Sequence, residues 1–211
     1  MPHVVLLGDS IFDNGAYVAG GPDVVQQLRP LLPASWSATL CAVDGATTED
    51  VPRQVPNVPP DATHLVLSVG GNDALGHVGI LERPARSVAE VLAMLDELAS
   101  GFDRGYRAAV KAVQARALPL TLCTIYDGNF PDPVMQRLAR TALTVFNDVI
   151  VRVAVEKELD VIDLRRVCRD SADYANPIEP SVRGGAAIAR AIVRALTEPD
   201  ELRRTARITG D

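Results

Sequence analysis

The chain has 211 residues, 47% apolar and 23% charged, enough for one substantial globular core. Its net charge of −6 argues against a nucleic-acid binder, and no apolar run reaches the roughly 18–20 residues of a membrane span. Cys41, Cys123 and Cys168 are odd in number and widely spaced, a pattern of reduced core thiols that points to the cytoplasm.

The run Val4-Val5-Leu6-Leu7 predicts a first strand over 3–7 that feeds directly into Gly8-Asp9-Ser10. That strand uses nearly everything before the turn, so no room is expected for a signal peptide of about 15–30 residues. Further short apolar runs predict strands over 37–43, 64–69, 118–125 and 159–163. They alternate with longer helical patterns, which favours a parallel sheet of about five strands covered by helices on both faces.

Between the second and third strands, the Pro-rich stretch from Val51 to Pro60 is expected to interrupt any helix. Residues 85–116 are helical in pattern, but Gly101 and Gly105 predict a break into two helices. Over 131–157, Asp132 suits the cap and Pro133 the first helical position, with Val134, Leu138, Ala142, Val145, Val149 and Val153 forming one apolar face. A last helix is expected over 182–197, capped by Ser181. Residues 1–198 thus read as one domain and 199–211 as a polar, mobile tail.

Right-handed crossovers bring the strand-to-helix turns to one edge of such a sheet. That edge would gather Gly8-Asp9-Ser10, Asp44-Gly45-Ala46, Gly70-Gly71-Asn72-Asp73 and Tyr126-Asp127-Gly128-Asn129. Each is ordinary turn chemistry by itself. Together they supply a hydroxyl nucleophile, Ser10, and an oxyanion cradle from Ser10, Gly45 and Asn72. Asp73, Tyr126 and Asp127 are the candidates for substrate contact.

The order of these blocks resembles the SGNH/GDSL family of serine esterases and acyl hydrolases. The match runs from Val4 to Ser10, through Gly45 and Gly70-Gly71-Asn72-Asp73, to the segment 176–185. The resemblance implies a flavodoxin-like, three-layer α/β/α fold, an ester or acyl substrate and no cofactor. It assigns Ser10 as nucleophile and Gly45 and Asn72 to the oxyanion hole. Ile11 stands where the family usually has leucine.

The last block departs from the family. Where an Asp-x-x-His is usual, this chain has Asn176-Pro177-Ile178-Glu179, so Glu179 takes the histidine position and Asn176 the aspartate position. A solvated glutamate near pKa 4.3 is a far weaker base than an imidazole near 6.5. His3 and His64 begin strands at the opposite edge; only His77, after the third strand, lies on the right one. Three arrangements follow: a buried Glu179 acting as base with Asn176 holding it, His77 reaching in from its loop, or an unactivated Ser10 in a pocket that binds without cleaving. Asp9 is a further supporting candidate. A metal-dependent phosphoesterase would need Asp9, Asp13, Asp73 and His77 to converge.

Overall fold

Val4, Val5, Leu6 and Leu7 are fully buried, because the strand they form is covered on both faces. The computed structural model describes residues 1–198, and the expected tail lies outside the described residues. Five parallel strands, β1 (His3–Gly8), β2 (Ser37–Leu40), β3 (His64–Ser68), β4 (Leu120–Cys123) and β5 (Asp160–Ile162), take the order β2-β1-β3-β4-β5. The helices are α1 (Val24–Leu28), α2 (Val51–Gln54), α3 (Gly71–Gly76), α4 (Val88–Gln114), α5 (Pro133–Glu156), α6 (Leu164–Val167) and α7 (Val182–Thr197).

Successive β1 side chains enter opposite cores. Val5 and Leu7 pack with Tyr106 and Val110 of α4 and Ile150 of α5. Val4 and Leu6 pack with Leu28 of α1 and with Ile188 and Ile192 of α7. The result is the three-layer α/β/α arrangement. No helix among the described residues is long and apolar enough to cross a membrane.

Several boundaries differ from expectation. The pattern over 85–116 is one continuous helix, α4, and not two. A helical glycine costs about 1 kcal/mol against alanine. Burying Phe102, Tyr106, Val110 and Val113 on the same helix yields roughly 1.5–3 kcal/mol each, so packing overrides the glycines. The Pro-rich stretch also holds helix: Pro52 sits in the first turn of α2, where no amide donor is needed, and a 3-10 turn follows over Val55–Asn57. Strand β2 stops at Leu40 because the Cys41 and Ala42 amides both turn onto the Leu6 carbonyl. The caps fall where the sequence puts them: Asp132 accepts the Val134 and Met135 amides, and Ser181 accepts that of Gly184.

At the amino edge of the sheet, His3 Nε2 meets Thr39 Oγ1 at 2.8 Å and His64 stacks on Trp36. Both histidines are therefore remote from the turn after β1. Cys41, Cys123 and Cys168 are buried and unpaired.

Candidate active site

The end of β1 is held by backbone contacts that leave no space for a side chain. Gly8 has φ +121°, and a Cβ there would collide with the Ser68 carbonyl of β3. Gln54, at the end of α2, donates to the Gly8 carbonyl at 2.7 Å and accepts the Gly8 amide at 2.8 Å. The Asp9 amide then donates to Ser68 O at 3.1 Å. Ser10 follows, 6% exposed at the carboxyl edge of the sheet.

Glu179 arrives from the loop before α7, and short-range bonds shape that loop. Tyr174 and Pro180 form an antiparallel bridge, and the Ala175 amide donates to Glu179 O at 2.8 Å. Asn176 Oδ1 accepts the amides of Ile178 and Glu179. Its role is thus to hold the backbone under Glu179; no hydrogen bond joins it to the carboxylate. Tyr126 Oη donates to Ile178 O at 2.6 Å, and Asn14 Nδ2 donates to Pro180 O at 3.1 Å.

Ser10 Oγ donates to Glu179 Oε1 at 3.0 Å. Glu179 is 5% exposed, and its Oε2 has no hydrogen-bond partner among the described residues. Burial pushes its carboxyl up to about 7; the Ser10 hydrogen bond opposes the rise and the Asp44 charge adds to it. Asp9, 2% exposed, is pushed up to about 8 by burial, against the Ile11 amide it accepts and with help from the charges of Glu179 and Asp73.

The remaining candidates divide. Ser10, Asn72, Glu179, Asp9, His77, Tyr126 and Asp127 line one cavity of about 140 Å³; Gly45, Asp73 and Asn176 lie outside its lining. Asn72 Nδ2 donates to Ala46 O at 3.0 Å, which ties α3 to the loop carrying Gly45, itself at φ +78°. Asp73 accepts the Thr48 hydroxyl at 2.6 Å and the Thr48 amide, so its carboxylate braces that loop. His77 is exposed on the cavity rim, and Ser10 makes its side-chain hydrogen bond to Glu179 instead. Asp127 pairs with Arg140 at 3.1 Å. Asp13 accepts the Asp44 amide, so Asp9, Asp13 and Asp73 point to separate partners, and no metal-ligand cluster of three such side chains occurs among the described residues. Beyond the polar end the cavity is apolar, lined by Leu95, Leu98, Leu143 and Phe146 among others.

Two positioning residues escape sequence reading. Asn14 accepts the Val24 amide while donating to Pro180, and Gln54 grips Gly8 from 46 positions away. Neither has a local signal, since the partners are distant in the chain.

A doubly covered parallel sheet with a serine just beyond its first strand defines a three-layer α/β/α class with its cleft at the carboxyl edge. The chain belongs to the GDSL-like lipase/acylhydrolase family, whose model matches residues 6–187. Among solved structures it is similar to the lipase Lip_vut3 from a goat rumen metagenome, at 20% identity and TM-score 0.72, over 95% of this chain and 99% of that one. A member of the lipolytic G-D-S-L family from Veillonella parvula is similar at 15% identity and TM-score 0.69, over 94% and 100% of the two chains. The native aryl esterase of M. smegmatis is similar at 14% identity and TM-score 0.65, over 93% and 98%. No curated protein sequence matches the chain.

Proposed function

We propose that the protein is an esterase in which Ser10 is the nucleophile and Glu179 the general base, in the place of the family's histidine. The observation that carries this reading is the 3.0 Å hydrogen bond from Ser10 Oγ to a buried Glu179. A base works best when its proton affinity lies near the working pH. A carboxyl raised to about 7 meets that condition, whereas one at its ordinary 4.5 does not.

Glu179 Oε1 takes the Ser10 proton as Oγ bonds to the acyl carbon. The developing oxyanion is held by the Ser10 amide and the Asn72 side chain, both on the cavity lining, each such donor being worth about 10²–10³ in turnover. Collapse breaks the bond to the alcohol oxygen, which leaves with the proton from Glu179. Water then attacks the acyl-serine, with Glu179 again taking the proton; collapse breaks the bond from the acyl carbon to Oγ, Glu179 returns the proton to Ser10, and the acid is released. The apolar cavity receives the acyl group, with Tyr126 and Asp127 at its wall. Asn176 and Asp73 act through the backbone of the Glu179 and Gly45 loops.

The test is hydrolysis of a 4-nitrophenyl hexanoate by wild type, Ser10→Ala and Glu179→Gln, beside fluorophosphonate labelling. Ser10→Ala is expected to lose label and activity, and Glu179→Gln to lose about 10⁴–10⁶ in kcat, the range seen when triad members are removed. His77→Ala is expected to cost far less than Glu179→Gln. A wild-type protein that takes no label and cleaves no activated ester is a binding protein, and the enzymatic reading then fails.

A further inference from the structure

The surroundings of Ser10 hold one more carboxyl group than ester hydrolysis uses. Asp9 is almost fully buried, its Oδ1 accepts the Ile11 amide at 3.1 Å, and its Oδ2 lies toward Gly71 at the start of α3. No lysine, arginine or histidine side chain forms a hydrogen bond or ion pair with it among the described residues. The charged groups that bear on it are themselves carboxylates, Glu179 from the loop before α7 and Asp73 from α3. The other titratable neighbours, Cys123 on β4 and Tyr126 after it, are held protonated by burial. Glu179 likewise lacks a cation, and one of its buried oxygens is unpartnered.

Two buried carboxyls with no cation do not both ionise readily; one proton is retained between them. Accepting Ser10 as nucleophile and Glu179 as base, we propose that Asp9 is a positioning residue that works as a neutral carboxylic acid, so that the site is active only as a singly ionised pair with the charge on Glu179. A neutral Asp9 leaves the oxyanion that forms beside the Ser10 amide unopposed. An ionised one repels it and also binds the proton more firmly onto Glu179. Burial raises both carboxyls well above their ordinary values.

The experiment pairs a pH profile of kcat/KM with an NMR titration of wild-type protein, reading the Ile11 amide that donates to Asp9. The expected profile is a bell, rising through about 7 and falling through about 8. The Ile11 amide shift should follow the upper step. In Asp9→Asn, which has nearly the same shape and never ionises, the alkaline fall should vanish, and any activity left in Asp9→Ala should lack the fall as well. A purely structural Asp9 would leave the alkaline limb where it was in any folded variant. A wild-type rate that stays flat above neutrality, or an Ile11 shift titrating near the ordinary 3.8 of an aspartate, overturns the proposal. Because the amide titration needs neither turnover nor a variant, it judges Asp9 even if Ser10→Ala proves as active as wild type. That last result would overturn the nucleophile assignment alone.

Discussion

Burial acts on the carboxyl at position 179 in the opposite direction from its action on an imidazole. Desolvation would lower a histidine's proton affinity, but it raises that of Glu179 toward neutrality. The same burial carries a consequence for stability. Asp9 and Glu179 bind their protons more tightly folded than at their ordinary values of 3.8 and 4.5. A group whose native affinity is raised stabilises the fold fully below its unfolded value, and that contribution is lost as pH climbs through the native one. The protein is therefore expected to lose thermal stability as pH rises from about 4 to about 8, through these two groups. Calorimetric Tm values across that window check this. Asp9→Asn and Glu179→Gln should each flatten the slope, because neither replacement titrates; a slope equally steep in both variants contradicts the assignment.

Strand β1 poses a problem of register that its own sequence does not solve. A strand buried on both faces reads apolar at every position, so slipping by one residue loses no hydrophobic match. What fixes its end is the fit of Gly8 against Ser68 and the two hydrogen bonds that Gly8 exchanges with Gln54, one donated and one accepted. Gln54→Ala would leave the buried Gly8 amide without its partner, at about 1–3 kcal/mol, while the Gly8 carbonyl keeps the Val43 amide. For a protein of this size, a loss of that order should lower Tm by roughly 2–12 °C, and urea titration should give the matching fall in stability. Helix α4 offers the opposite case. Gly101 faces open space, so Gly101→Ala should gain about 0.5–1 kcal/mol, while a Cβ at Gly105 meets Thr48 Oγ1 at 2.8 Å and should not gain. The same comparison explains why these glycines do not break the helix. Strand and cap positions were legible in the sequence because they rest on local chemistry, as at Asp132 and Ser181. The continuity of α4, the grip of Gln54 and the bracing role of Asp73 were not, because their partners lie tens of residues away. The motif residues could be placed on one edge from connectivity alone, but the contact between Ser10 and Glu179 depends on the loop folded around Asn176 and Asn14.

At the scale of the molecule, the two long helices do two jobs. Their later portions, from Phe102 in α4 and Phe146 in α5, bury side chains against the sheet. Their earlier portions extend beyond that core and, with the segment from α3 onward, wall the cavity that opens beside Ser10. The cavity of about 140 Å³ is close to the engineered 150 Å³ apolar cavity that accepts benzene, so it suits an acyl group of about six carbons. Each further methylene buried contributes about 0.8 kcal/mol, or roughly fourfold in kcat/KM, until the space is filled. In a series of 4-nitrophenyl esters, kcat/KM is expected to climb from acetate to about hexanoate and then to level or fall. Ala142, on the cavity wall, provides the control. Ala142→Trp should lower the hexanoate-to-acetate ratio by at least about tenfold, since the indole would occupy volume that the longer chain needs. A ratio unaffected by the filled wall would mean that the acyl group lies elsewhere, and the cavity would then have to receive the alcohol portion of the ester.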